Sequence, residues 1–234
     1  MSEASPPPLE EPIEPTSIFS KLFDIIAAPG DVYEEIRGAR VAVVNWLVPV
    51  LLAGLAVGGF SYAAFSRPSV VHELRTTQEK AIRKSLEKQK MAPEKVEKVI
   101  EQTQKFMTTK VLMMFGIGGG VLGLFVFLFV KAFALWVLDR IIFKSGTDFL
   151  KFLEITGLAD VVTILSSIAK IFLVMAKGNL YLGFSPALFL PEFDITNTPH
   201  LLLNTIELFL LWNLIVIGIG VRVVTRASWS RVLS

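Results

Sequence analysis

The sequence predicts an all-α polytopic membrane protein with four transmembrane helices. The first observation is the segment 111–138, which contains one charged residue, Lys131, in 28 positions. About 20 apolar residues, at a rise of ~1.5 Å each, cross a hydrocarbon core of roughly 30 Å. The second observation is that three further long apolar segments repeat this pattern. The composition agrees, since 53% of the residues are hydrophobic and only 19% are charged.

Polar segments separate the apolar ones and define the predicted organisation of the chain. Each boundary lies where Pro, Gly or clustered charges interrupt an apolar run. The predicted parts, in order, are a disordered acidic Pro-rich tail (1–15), interfacial amphipathic helices (16–40), transmembrane helix 1 (41–66), an extramembrane helical hairpin (67–110), transmembrane helix 2 (111–138), transmembrane helix 3 (149–176), an interfacial loop (177–200) and transmembrane helix 4 (201–225).

Residues 1–15 contain five prolines, four glutamates and few apolar side chains. They bury too little apolar surface to offset the entropy of ordering, so a disordered tail is expected. The tail lacks the basic start and apolar core of a signal peptide. The first transmembrane helix is therefore expected to act as an uncleaved anchor.

An amphipathic pattern follows the tail. Thr16 or Ser17 is suited to cap a first helix, which Pro29 and Gly30 are expected to end, and Asp31 is suited to cap a second helix. The pair is expected either to lie in the membrane interface or to pack beneath the helix bundle, and the interface is favoured because a transmembrane helix follows. The apolar faces are formed by Ile18, Phe19, Leu22, Phe23, Ile25 and Ile26, and by Val32, Tyr33 and Ile36.

Glycine spacing in transmembrane helix 2 predicts a packing face. Gly116 and Gly120, and likewise Gly119 and Gly123, are four residues apart and line one side of a helix. A face without side chains lets another helix approach closely, which is a common mode of association in lipid. A flexible hinge at these glycines is the alternative.

The hairpin at 67–110 carries eleven Lys or Arg and six Glu. Its two arms are separated at Met91–Pro93, because Pro93 suits the first position of a helix. One interpretation is a solvated helical surface with i,i+4 ion pairs such as Glu101 to Lys105. The other is a patch that binds lipid phosphates or a protein partner.

The later segments are predicted from their caps and prolines. Thr147 or Asp148 is suited to cap transmembrane helix 3. The loop at 177–200 is partly apolar but contains Pro186, Pro191 and Pro199, so it is expected to form a short helix at most.

Five charged residues fall within the predicted spans: Lys131, Glu154, Asp160, Lys170 and Glu207. An isolated charge there costs at least ~2.5 kcal/mol, so these side chains are expected to be paired or hydrated. Their depths predict two pairs between helices, Lys131 with Glu154 or Asp160, and Lys170 with Glu207. Such pairs either fix the register of the helices or mark a path for ions or protons.

Basic residues beside the spans indicate the orientation. The loop 178–200 has none, and the basic residues at the opposite ends of the spans are therefore expected in the cytoplasm. The basic hairpin argues the other way, but its mixed charge counts less. Both termini are expected to be cytoplasmic. The residues behind this orientation are Lys21, Arg37, Arg40, Arg140, Lys144, Lys151, Arg222, Arg226 and Arg231.

Several classes of chemistry are not expected. The chain has no cysteine and only two histidines, His72 and His200, so neither a thiolate site nor a metal site is predicted. The net charge of +2 does not favour a nucleic-acid partner. Gly118, Gly120 and Gly123 fit G-x-G-x-x-G, but the apolar run continues on both sides, which excludes a dinucleotide turn. No cofactor and no catalytic constellation is predicted.

Three motifs in order resemble the Yip family, membrane proteins named for interaction with Ypt/Rab GTPases, in its bacterial form. They are Pro29-Gly30-Asp31-Val32-Tyr33-Glu34-Glu35-Ile36, Met91-Ala92-Pro93-Glu94-Lys95-Val96-Glu97, and Glu207-Leu208-Phe209-Leu210-Leu211-Trp212 with Gly218. Members usually have five spans, so a shortened or truncated member is expected. The Tyr-Gly-Pro type signature of eukaryotic members is absent. The resemblance implies a location in the bacterial inner membrane and a non-enzymatic role in membrane organisation or partner recruitment.

The resulting functional hypothesis is a scaffold or adaptor that offers the 67–110 hairpin on one side of the membrane. Expected partners are membrane lipids and proteins that contact the hairpin, and a homo-oligomer is compatible with the sequence. The alternative is a small transporter or channel component that uses the intramembrane charges. A water-lined path to Asp160 would favour the alternative, and a dry core with satisfied ion pairs would favour the scaffold.

Overall fold

A computed structural model describes residues 16–227, all of whose regular elements are helical. Four helices are long and apolar enough to cross a membrane: Val44–Phe65, Thr109–Phe143, Phe149–Lys177 and Leu208–Thr225. The all-α class with four spans is thereby confirmed. The predicted disordered tail, and Arg231 among the basic residues that indicate the orientation, lie outside the described residues.

Two short helices precede the first span, α1 (Ile18–Ala27) and α2 (Pro29–Gly38). Ser17 caps α1 by accepting a hydrogen bond from the Ser20 N–H at 3.2 Å. The expectation that Asp31 caps α2 is wrong. Pro29 already occupies the first turn of α2, where its missing N–H costs nothing, and Asp31 follows inside the helix.

The surfaces of α1 and α2 support both alternatives, packing against the bundle and contact with the membrane interface. Tyr33 and Ile36 of α2 are fully buried, and the Tyr33 hydroxyl donates to the Ile155 carbonyl at 3.1 Å, so α2 packs on the bundle. Phe19 and Phe23 of α1 remain 65% and 75% exposed. This exposed apolar face fits the membrane interface.

Span α3 (Val44–Phe65) leads into the hairpin of α4 (Pro68–Lys88) and α5 (Pro93–Phe106). Both hairpin helices begin with proline in the first turn. Arg83 joins the arms, because its guanidinium lies 3.1 Å from Glu79 on α4 and 2.9 Å from Glu97 on α5.

The second span, α6 (Thr109–Phe143), is longer than the predicted 111–138. It includes π-helical turns at Phe115–Gly119 and Asp139–Phe143. The helix therefore continues five residues beyond the predicted end at 138, to Phe143. Asp139 is fully buried and accepts a 2.6 Å hydrogen bond from the Ser145 hydroxyl, so the chain reverses after it, where Lys144 and Gly146 have positive φ.

The third span, α7 (Phe149–Lys177), is interrupted at Asp160, which separates segments Phe149–Ala159 and Val161–Lys177. A 3₁₀ turn (Pro186–Phe189) and α8 (Thr198–Thr205) follow, and the last span is α9 (Leu208–Thr225). A continuous fourth span over 201–225 is thus wrong. The break precedes Leu208 because Glu207 caps α9, and the Leu208 N–H donates to the Phe184 carbonyl at 2.9 Å.

Span α7 is central to the bundle and packs against α3, α6 and α9. Two glycines allow close approaches to α7 and α9. A Cβ on Gly157 would lie 2.4 Å from the Trp46 backbone in α3, and a Cβ on Gly220 would lie 2.8 Å from the Tyr33 ring in α2. The N-terminal helices meet the bundle at the end where α7 begins, because the Lys151 ammonium donates to the Ala39 carbonyl at 3.0 Å.

Candidate functional site

A polar groove runs along α7 within the membrane-spanning part of the protein. Its floor is the second half of α7, and its walls come from α6 and α9. The cavity is about 310 Å³. We define the intramembrane groove by its lining residues: Leu124, Phe127, Lys131, Asp160, Val162, Thr163, Ser166, Lys170, Glu207, Phe209, Leu210 and Asn213.

The deep end of the groove holds an ion pair between Lys131 of α6 and Asp160 of α7. The Asp160 side chain is 3% exposed and that of Lys131 30%, so the carboxylate is buried and the ammonium faces the cavity. The helix tightens at this point, because the Asp160 N–H donates to the carbonyls of both Thr156 and Gly157 at 3.1 Å. This tightened turn places the carboxylate opposite Lys131.

The mouth of the groove holds Lys170 of α7 and Glu207 at the start of α9. Their charged atoms are 3.7 Å apart, which is long for a hydrogen bond. One Glu207 oxygen accepts from the Leu210 N–H at 2.8 Å and caps α9. The other oxygen is buried and has no hydrogen-bond partner, so this pair is incompletely satisfied.

A second hollow adjoins the mouth and is about 480 Å³ in volume. It shares Lys170, Glu207 and Leu210 with the groove and is otherwise lined by Phe60, by residues 180–183 and by the end of α8. The groove is therefore continuous with the end of the bundle that carries the loop 178–207.

Glu154 lies outside the groove. Its buried carboxylate accepts from the Asn45 amide at 2.7 Å and from the Ala42 N–H at 2.9 Å, and the Lys151 ammonium is 2.8 Å away. Of the two partners that the sequence left open for Lys131, the structure brings Asp160 to it. Sequence reasoning missed the partners of Glu154, although Lys151 three residues earlier is a readable signal.

Only one pair of the predicted packing glycines faces another helix. A Cβ on Gly116 would lie 2.5 Å from the Phe65 ring, and one on Gly120 would lie 2.8 Å from Val57, both in α3. A Cβ on Gly119 or Gly123 would meet nothing within 4 Å. The π-helical turn Phe115–Gly119 lies in the same segment, which keeps the hinge alternative open.

At the end of the bundle where the mouth of the groove opens, the hairpin and the loop 178–207 form one extramembrane layer. The Lys84 ammonium donates to the Thr196 carbonyl at 3.0 Å, and the Asn179 amide donates to Glu73 at 2.7 Å. Burial raises the pKa of Glu73. A cleft of about 590 Å³ lies between these segments and contains both histidines, His72 and His200. Their juxtaposition was not visible in the sequence, because the histidines are 128 residues apart.

No group of three or more His, Asp or Glu side chains within residues 16–227 is placed to hold a metal ion. The groove joins oppositely charged side chains, and each acid in it faces a lysine. Such an arrangement has the charges and hydrogen-bonding groups to hold a polar or zwitterionic group.

Four apolar spans, short amphipathic helices at one end and a helical hairpin at the other define an integral, multi-pass α-helical membrane protein. The family model described as the Yip1 domain matches residues 23–234. The chain belongs to the Yip1 domain family, as the three sequence motifs predict. A search of curated proteins gave no match, and neither did a search of solved structures.

Proposed function

We propose that the protein is a non-enzymatic membrane scaffold or adaptor, whose extramembrane layer recruits protein partners. The observation that supports this proposal most directly is the packing of the hairpin onto the loop 178–207. The contacts of Lys84 with Thr196 and of Glu73 with Asn179 hold α4 against the loop, so the hairpin is a positioned arm.

The second arm of the hairpin offers the surface for recruitment. One face of α5 is buried through Val96 and Ile100 against α4, while Glu94, Lys95 and Lys98 are exposed. A charged face on an arm held by its neighbour suits recognition of a partner with complementary charge.

The transporter alternative has less support from the geometry. The groove does reach Asp160, as a path for ions or protons would require. Beyond Asp160, however, residues Phe152–Ala159 of α7 are all buried, and Glu154 is enclosed by its own partners. Among the described residues, the polar path therefore stops near the middle of the bundle.

Site-specific photo-cross-linking in living cells tests the adaptor proposal. A photoreactive amino acid at Glu94 or Lys98 is expected to give the same discrete protein adduct, because both side chains lie on the exposed face of α5. The same amino acid at Leu122, which is 66% exposed on a span, serves as the control. Charge reversal with Lys95→Glu is expected to weaken the adduct at Glu94 and Lys98. Adducts at the hairpin that match those at Leu122 would refute the proposal.

A further inference from the structure

We propose that the mouth of the intramembrane groove binds the headgroup of a zwitterionic phospholipid, with phosphatidylethanolamine as the fitting ligand. In this site Lys170 contacts the phosphate and Glu207 accepts hydrogen bonds from the ammonium group. The inference is independent of the hairpin and of its partners.

The position of the groove supports a lipid ligand. The walls carry apolar side chains that face outward, with Phe127 66% exposed and Leu210 49% exposed. Both belong to membrane-spanning helices, so the medium around them is lipid. Acyl chains can lie along these side chains while the headgroup stays at the mouth.

The depth of the mouth supports a headgroup. Lys170 lies seven residues before the end of α7, or ~10 Å along the helix axis, and Glu207 lies just before the first residue of α9. Both side chains are therefore near the boundary of the span, where phospholipid headgroups reside. Asp160 of the deep pair lies ten residues before Lys170 on α7, about 15 Å deeper along the helix axis. This distance is too long for the same headgroup to contact both pairs.

The state of the two ion pairs identifies the mouth as the binding site. Lys131 and Asp160 are in direct contact, so the deep pair is satisfied by itself. Lys170 and Glu207 are 3.7 Å apart, and one Glu207 oxygen lacks a hydrogen-bond partner. A small movement of the partly exposed Lys170 toward a phosphate would leave that oxygen free to accept from an ammonium.

The charge balance favours a zwitterion. The groove contains two lysines and two acids, so its net charge is zero. An anionic headgroup would bring an uncompensated negative charge close to Glu207, where low polarity strengthens the repulsion. Ethanolamine also fits better than choline, because its primary ammonium has N–H donors and a quaternary ammonium has none.

Native mass spectrometry of the purified full-length protein tests this site. The protein is incubated with equal amounts of phosphatidylethanolamine, phosphatidylcholine and phosphatidylglycerol, and the retained lipid is measured. We expect phosphatidylethanolamine to dominate the adducts. Glu207→Gln keeps an acceptor for the Leu210 N–H but removes the charge. It is expected to reduce the preference for phosphatidylethanolamine over phosphatidylglycerol about tenfold, as for the loss of one charge-assisted hydrogen bond.

Two further variants control for charge and for folding. Lys170→Gln is expected to lower the retention of all three lipids. Glu101→Gln alters an exposed acid that pairs with Lys105 on the hairpin, and it is expected to leave the lipid preference unchanged. Equal retention of the three lipids by the wild-type protein, or an unchanged preference in Glu207→Gln, would overturn the proposal.

A measurement on the wild-type protein avoids any dependence on the folding of variants. Phosphatidylethanolamine that carries a diazirine on an acyl chain close to the glycerol, so that its primary ammonium stays free, is expected to label peptides that contain Lys170 or Leu210. If these peptides are labelled no more strongly than the lipid-facing surface of α3 at Leu51 and Leu55, the proposal is contradicted. A photoreactive amino acid at Leu210 that cross-links to a second copy of the chain would overturn the proposal in favour of a protein interface.

Discussion

Two acids on α7 show how the surroundings of a residue decide its role. Glu154 and Asp160 are both buried, and the sequence left them as alternative partners of Lys131. They lie six residues apart and therefore point in different directions around the helix. Glu154 meets Asn45 and the start of α3, whereas Asp160 faces α6 and the groove. The sequence predicted that these charges are paired, but the choice of partner depends on the rotation of α7.

Neutralising Asp160 is expected to destabilise the protein. Asp160→Asn leaves the Lys131 ammonium without its anionic partner inside the membrane, at a cost of about 2–3 kcal/mol. The double variant Lys131→Met with Asp160→Asn is expected to recover most of this loss. Thermal unfolding in one detergent gives both values. Additive losses in the double variant would show that the pair does not contribute as a unit.

The surroundings of Glu35 on α2 predict that the stability of the protein depends on pH. Burial raises the pKa of Glu35, but hydrogen bonds from Thr16 and the Lys21 ammonium at 3.0 Å outweigh it, so the net shift is downward. A lowered folded-state pKa means that this contribution to stability is present above the unfolded value, ~4.3, and is lost as the pH falls through the folded value.

The difference between wild type and Glu35→Gln isolates this contribution. The variant is expected to be less stable than wild type above the ordinary pKa range of a glutamate, and the two stabilities are expected to converge as the pH falls below that range. Asp24→Asn, an exposed change on α1, is the comparison variant. A stability difference that stays constant across this range would show that the carboxylate does not titrate in the expected direction.

Among the helices, α3 and α7 cross in close contact at Gly157. The backbone of Trp46 occupies the space where a side chain on Gly157 would lie. Gly157→Ala is expected to separate these helices and to lower the free energy of unfolding by about 1–3 kcal/mol. Gly123→Ala, where a Cβ meets nothing within 4 Å, is expected to change it by less than ~0.5 kcal/mol. Equal effects in the two variants would contradict the tight crossing.

The helices differ in how far the sequence predicted them. Hydropathy predicted four spans, since each must be apolar over the full hydrocarbon thickness. The start of α9 was placed too early, at 201, because the residues from Leu201 to Ile206 are largely apolar and Glu207 is an uncommon cap. The groove was not predictable either, because it requires α6 and α9 to flank the same side of α7.

The molecule as a whole has two different ends. One end carries α1, α2 and the start of α7, which Lys151 joins through the Ala39 carbonyl. The other end carries the hairpin, the loop 178–207 and the mouth of the groove. We propose that the first end is cytoplasmic, because short basic flanks adjoin the spans there, whereas the loop 178–200 at the other end has no basic residue. The basic hairpin at that other end counts less, since its charge is mixed.

The absence of cysteine allows a direct test of this orientation. A single cysteine at Ser85, exposed on the hairpin, is expected to react with a membrane-impermeant maleimide in intact cells. A single cysteine at Arg40, exposed near α2, is expected to react only after lysis. The reverse pattern would place the hairpin and the proposed lipid site at the cytoplasmic side.

The ion pair of Lys131 and Asp160 has a consequence for biosynthesis. Lys131 belongs to α6, which is synthesised before α7. It is the most apolar of the four spans, with a mean hydropathy of 2.5. This helix can leave the translocon with one unpaired lysine, whereas α7 carries Lys151, Glu154, Asp160 and Lys170 and is less apolar, at 2.0. The ammonium already in the bilayer therefore provides a counter-charge for the helix that follows. We therefore expect α7 to enter the bilayer more readily when α6 is already beside it than when α6 is absent.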